Sequence, residues 1–178
     1  MRKEIKEVVT IPESIEAEVK DRVVTMRKDS ATAERKFKVD IKKEGNSLIM
    51  HNPQATKKEK KLIKSAAAHI RNMISGLQKK YTYKLKVCFV HFPVSVELKS
   101  GELIIKNFLG EKVPRKAKIL PGAEVKIEKD EITVSSHDKE IAGQTAANIE
   151  NSTRIKARDR RVFQDGIFII EKEKGKSK

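Results

Sequence analysis

Five of the eight residues from Arg154 to Arg161 are basic: Arg154, Lys156, Arg158, Arg160 and Arg161, with Asp159 the single acid among them. Phe163 follows, then Asp165-Gly166 and the apolar run Ile167-Phe168-Ile169-Ile170. Charge this dense cannot enter a core unpaired, so it faces water or a polyanion. Guanidinium groups grip phosphate bidentately and stack on bases, which makes phosphate binding the chemistry of this stretch. The strand behind it makes it an ordered arm fixed to a folded domain. Asp165 and Gly166 are assigned to turning the arm. Phe163 either anchors it in the core, the preferred reading, or stacks on a base.

Other chemistries find no support. The four histidines (His51, His69, His91, His137) are scattered, without an i, i+4 pair, and Cys88 is the single cysteine; that is not a metal-ligand pattern. Cys88 lies in an apolar KVCFV run, which reads as core. There is no P-loop, and eight glycines are too few for a dinucleotide fingerprint. The acids alternate with lysines as on solvated faces, so no general acid/base pair stands out. The expectation is no catalytic residue, no metal, no cofactor and no small-molecule substrate.

The totals agree. Charged residues reach 37% against the usual ~25%, and the net charge is +15. Such an imbalance opposes compaction by self-repulsion, so it points outward to a polyanionic partner. No apolar stretch approaches a membrane span. Neither a disulfide framework nor a signal-peptide core is visible, so a cytoplasmic location is expected. Aromatics at 4% are too few for a row of base-stacking platforms.

The arm needs a scaffold. Apolar alternation predicts strands at Val8–Ile11, Ile15–Val19, Val23–Met26, Phe37–Ile41 and Leu48–Met50, with Arg27–Arg35 turn-like between the third and fourth. Thr56 and Glu59 have capping-box spacing. Leu62, Ile63, Ala66, Ala67, Ile70, Met73, Ile74 and Leu77 then recur at helical period. Tyr81–Val90 alternates again as a long strand. Hairpins follow around Lys99–Glu102 and Lys129-Asp130, with a loop at Asn107–Lys112 and a strand at Lys116–Leu120. A second helix starts near Asp138, with Ile141, Ala142, Thr145, Ala146 and Ile149 on its buried side.

The two helices match. AAAHIRN from Ala66 aligns with TAANIEN from Thr145 at one fixed offset, and a short apolar strand precedes each helix. Further upstream, Pro12 and Pro121 each open a hairpin with a Lys-Asp turn. Strands then a helix, twice, indicates duplication of a sheet-plus-helix unit. The fold class is α+β: two tandem similar domains, each an antiparallel β-sheet packed by one main helix. The expected boundaries are 1–82, 83–172 for the C-terminal domain that carries the basic arm, and a mobile basic tail at 173–178.

QTAANIENSTRIKARDRRVFQDGIFIIEK, from Gln144 to Lys172, resembles the C-terminal signature of the large-subunit ribosomal protein L-six family in its archaeal and eukaryotic branch. Arg161, Phe163, Asp165, Gly166 and Lys172 fall on its R-x-F-x-D-G, strand and basic positions. Asn72-Met73-Ile74 followed by Gly76, His91-Phe92-Pro93, Asn107 to Lys112 (NFLGEK) and Pro121-Gly122 extend the match over the whole chain. The long basic insertion common in eukaryotic members is absent before Asn52, which leans the chain to an archaeal protein; Lys28–Glu34 lacks the family's usual Gly-Pro, and Phe168 stands where Tyr is frequent. The resemblance implies two similar domains and no catalytic activity. It implies binding of 23S-type rRNA, mainly through the C-terminal half, near the sarcin–ricin loop and stalk base where translation factors dock, beside neighbouring large-subunit proteins on the cytoplasmic ribosome. The expected RNA contacts are Arg154, Lys156, Arg158, Arg160 and Arg161, supported by Lys106 and Lys112. The alternative class is a basic nucleic-acid-binding regulator acting off the ribosome.

Overall fold

A computed structural model describes residues 3–29, 31–159 and 161–172. Arg160 and the 173–178 tail therefore lie outside the described residues. The chain divides into two compact units, Met1–Lys80 and Tyr81–Lys178.

The first unit runs β1 (Lys3–Thr10), β2 (Glu16–Lys20), β3 (Val23–Lys28), β4 (Ala31–Lys36), β5 (Lys42–Glu44), β6 (Ser47–Ala55) and α1 (Lys57–Gln78). Its strands form two antiparallel sheets, β1-β6-β5 and β2-β3-β4. Helix α1 buries Ile63, Ala66, Ala67, Ile70, Ile74 and Leu77 in one cluster with Val24, Met26, Leu48 and Met50 from the sheets. Leu62, on the margin of the apolar stripe, stays exposed. The capping box forms as its spacing requires: the Thr56 hydroxyl accepts from Glu59 N–H at 3.3 Å, and Glu59 Oε2 accepts from Thr56 N–H at 2.7 Å. Thr56→Ala should destabilise the first domain by about 1 kcal/mol, read as a lower midpoint in thermal denaturation followed by circular dichroism. An unchanged midpoint would mean that the cap contributes nothing.

Two expectations here are corrected. Arg27–Arg35 is not a turn region, because β4 occupies Ala31–Lys36 and pairs with β3. Its inward residues are Ala31 and Ala33, which pack on the core but are too small to print an apolar stripe. Phe37–Ile41 in turn is not a strand. Phe37 and Ile41 are buried, so the alternation reported side chains entering the core, while the ladder position beside β3 was already filled by β4.

The second unit runs β7 (Tyr81–Cys88), β8 (Ser95–Lys99), β9 (Glu102–Lys106), β10 (Arg115–Lys118), β11 (Glu124–Glu128), β12 (Glu131–Ser136), α2 (Lys139–Ser152) and β13 (Gly166–Lys172). Its sheets are β10-β9-β8 and β11-β12-β7-β13. The duplication is thus element for element: β1 to β6 and α1 answer to β7 to β12 and α2, and the two sheet orders repeat. Ile63, Ala66, Ala67 and Ile70 of α1 fall on Ala142, Thr145, Ala146 and Ile149 of α2, and all eight are buried. Each domain carries two sheets where the sequence suggested one.

The upstream alignment of the copies is also corrected. Lys20-Asp21 links β2 to β3, whereas Lys129-Asp130 links β11 to β12, the counterpart of β5 to β6. The shared dipeptide reflects turn chemistry: Asp21, Arg22 and Lys129 all adopt left-handed backbone, at φ 45°, 66° and 53°, as tight hairpin turns demand.

One strand has no counterpart among the described residues. β13 adds to the edge of β7, and the basic arm is the connection from α2 to β13. Duplication supplied the scaffold; the added strand ties down the far end of the arm.

Candidate nucleic-acid interface

The arm begins where α2 ends. The last carbonyls of a helix have no intrahelical donors and need other partners. Thr153, the C-cap, is buried and donates its hydroxyl to Glu150 O at 3.1 Å. The same hydroxyl accepts from Ile167 N–H at 2.9 Å, and Glu150 Oε1 accepts from Ile169 N–H at 3.1 Å. The helix end is therefore bonded to β13, and the two ends of the arm are held together at its base.

Arg115, on β10, is the second fastener. Its Nη1 donates to the carbonyls of Ser152 and Arg154, each at 3.0 Å. Its Nε and Nη2 donate to the Glu111 carboxylate at 2.8 and 2.6 Å. Its guanidinium carbon lies 4.4 Å from the centre of the buried Phe108 ring. One side chain thus joins the Asn107–Lys112 loop to the root of the arm. The hydrogen bond from Arg115 holds the Glu111 carboxyl below its usual range against the opposing effect of burial, and the Arg158 charge adds to the lowering.

Asp165 closes the far end. It is 2% exposed and accepts from the backbone N–H of Val90 and from His91 Nδ1, the latter at 2.7 Å. Burial would raise its pKa, but the hydrogen bonds from His91 and Val90, with the His91 charge, outweigh it and keep the carboxyl below the usual range. The assignment of Asp165-Gly166 to a turn is corrected: Gly166 is the first residue of β13 and pairs with Cys88. The turn lies earlier, where Asp159 O accepts from Val162 N–H and Phe163 N–H at 3.2 and 2.9 Å. Gly166 answers a steric demand instead. A Cβ there would sit 2.9 Å from Cζ of Phe168, whose ring leans back over it.

Phe163 does not enter the core cluster of this domain. It is half-buried between His91, with ring centres 4.9 Å apart, and Arg158, whose guanidinium carbon is 4.8 Å from the ring centre. The expected anchoring in the core is corrected: the ring packs against a surface histidine and under an arginine. That sandwich props Arg158 outward, a geometry in which cation and ring attract.

The remaining basic residues differ in what they are free to do. Arg154, Lys156 and Arg158 are exposed and make no ion pair among the described residues. Arg161 is exposed but bonded to Asp159, with Nη2 to Oδ2 at 2.9 Å; these hydrogen bonds lower the pKa of Asp159 and raise that of Arg161. Lys106 is paired with Glu97 at 2.7 Å across the β8–β9 hairpin, whereas Lys112 is exposed without an ion pair among the described residues. Sequence reasoning did not single out Arg115, Thr153 or Glu150, and it named His91 only among the scattered histidines and within the His91-Phe92-Pro93 match, not as a partner of Asp165. For Arg115 the sequence holds no signal, since an arginine in RKAK looks like any solvated strand residue. No group of three or more His, Cys, Asp or Glu among the described residues could hold a metal ion. No described helix is long and apolar enough to cross a membrane.

Comparison with known proteins bears on this geometry. Residues 92–166 match the family model described as Ribosomal protein L6. A protein of Methanobrevibacter smithii named "Large ribosomal subunit protein uL6" is 41% identical over 172 residues, 95% of this chain and 97% of the relative. The chain belongs to the ribosomal protein L6 family. Proteins of the same name from Methanococcus vannielii, 39% identical over 94% of both chains, and from Ignicoccus hospitalis, 41% identical over 93% of both, are similarly close. All three relatives are archaeal. The L6 family match begins at Phe92, beside His91, and stops at Gly166; it covers Phe108, Glu111, Arg115, Thr153 and Asp165, which hold the arm.

Proposed function

We propose that this L6-family chain is a structural constituent of the large ribosomal subunit, and that its second domain clamps phosphates of 23S-type rRNA through the arm between α2 and β13. It acts in the cytoplasm, on the ribosome, among rRNA and neighbouring large-subunit proteins. The observation that supports the clamp is the contrast between root and tip. The root is fixed by Arg115, Thr153, Glu150 and Asp165, while Arg154, Lys156 and Arg158 are exposed and make no ion pair among the described residues. Charges held in place lose little conformational freedom on binding, which favours affinity. An A-form helix hides its base edges in a deep groove, so such a clamp reads backbone and shape.

The family resemblance adds the place: the sarcin–ricin loop and the base of the stalk, where translation factors dock. Co-sedimentation and footprinting test the two levels separately. The protein in lysate should travel with large subunits at moderate salt, and hydroxyl-radical protection on assembled subunits should fall around the sarcin–ricin loop. If the protein stays in the supernatant, a regulator acting off the ribosome replaces this reading. If it travels but protects another region, only the location is wrong.

A further inference from the structure

Beneath the arm lies a cleft of about 850 Å³, walled by Val90, Ile155, Phe163 and Phe168 and edged by Asn151 and Arg154. Val90 is 80% exposed and Phe168 38% exposed. A clamp that touched only phosphates would have no use for apolar walls and an open aromatic ring beside its arginines. The size falls in the range of ligand clefts, roughly 300–1,000 Å³.

The ring of Phe168 is also placed, not merely present. Its backbone pairs with Lys86 of β7, and its tip rests over Gly166, where a Cβ would come within 2.9 Å of the ring. Glycine at that position lets the ring lie back against the strand as a wall of the cleft. Single unstacked bases are held in this way in sequence-specific RNA recognition, on an aromatic face with amides at the base edge.

We propose that the cleft takes one unstacked nucleobase of the bound rRNA, stacked on Phe168, with the Asn151 amide at its edge and the Arg154 guanidinium on its phosphate. This rests on the rRNA reading above and adds base recognition to it. The low aromatic content is compatible, because one base needs one ring. The cleft also holds the carboxylates of Glu150 and Asp165, but both already accept hydrogen bonds, from Ile169 N–H and from Val90 N–H and His91. The charges at the rim that make no ion pair among the described residues are Arg154 and, on the arm above, Lys156 and Arg158, which selects a nucleotide over an apolar peptide.

The test uses the full chain and an in vitro transcript of 23S rRNA from Methanobrevibacter smithii. Dimethyl sulfate probing should show one unpaired nucleotide whose Watson–Crick edge is protected by the wild type and reactive with Phe168→Ala. Base–aromatic stacking is worth about 1–3 kcal/mol, so Phe168→Ala should weaken binding roughly 5- to 150-fold with an unchanged salt slope. Phe168→Tyr should keep the protection and Phe168→Leu should lose it, which separates stacking from mere filling. Circular dichroism confirms that each variant is folded. Wild-type base protections in Phe168→Ala, or equal binding by the Leu and Tyr variants, would overturn the base site. Failure of the rRNA reading looks different: no wild-type binding to the transcript at moderate salt.

Discussion

Replacing Arg154, Lys156 and Arg158 together by glutamine is expected to flatten the salt dependence of rRNA binding by about 2 to 3 log units of slope. Each phosphate contact releases condensed counterions and contributes roughly 0.7–0.9 to the slope. At about 0.1 M salt, the same relation gives a loss of roughly 100- to 1,000-fold in affinity. The structure ranks the arm residues more finely than charge alone. Arg161 is already bonded to Asp159, so Arg161→Gln should change the slope less than Arg158→Gln, although both remove one charge. Lys106→Gln should also do little, because Lys106 is paired with Glu97. A titration series from about 50 to 300 mM salt, over which each contact changes affinity by roughly 0.5–0.7 of a decade, provides the measurement. Lys57→Gln/Lys58→Gln/Lys60→Gln in the first domain is the control, equal in charge removed. If that control flattens the slope as much as the arm variant does, binding follows net charge and the arm is not the site.

What could be read from the sequence divides by the range of the interaction involved. Local chemistry was legible. The Thr56–Glu59 capping box, the α1 stripe and its match to α2 all depend on residues within a few positions of one another. The arm was legible as charge density, and its ordered setting as the strand behind it. Signals carried by size or distance were not. Ala31 and Ala33 line β4 without looking apolar enough to mark a strand, so the neighbouring Phe37–Ile41 alternation took its place. Arg115 bonds carbonyls 37 and 39 residues away, and nothing near it in sequence announces them. The Asp165-Gly166 pair is the instructive case. Asp-Gly is turn chemistry in short-range terms, yet Asp165 reaches back 75 residues to Val90, and Gly166 opens β13 beneath the Phe168 ring two positions on. Both residues matter for placing the arm, for reasons that a local reading cannot supply.

Asp165→Ala is accordingly expected to cost the second domain about 3 kcal/mol at neutral pH. Hydrogen bonds to a charged group contribute roughly 1.5–3 kcal/mol each, and two are lost here. The Val90 N–H and the His91 ring are left facing an apolar methyl group. Asp165→Asn should cost less, since its oxygen can still accept from Val90. The pH dependence identifies the charge as the cause. The carboxyl is held below its usual value in the folded state, so its contribution is complete above the unfolded pKa, about 3.9. It is lost as pH falls through the lower folded value. Wild type and Asp165→Ala should therefore differ fully above the unfolded carboxylate pKa and converge in strong acid, measured by urea unfolding at a series of pH values. A gap that stays constant from pH 7 to below pH 3 would assign the effect to packing and remove the charged anchor from the account. The same variant separates anchor from clamp. It leaves Arg154, Lys156 and Arg158 in place, so the salt slope of rRNA binding should hold while affinity drops, because a loosened arm must be ordered again on every encounter.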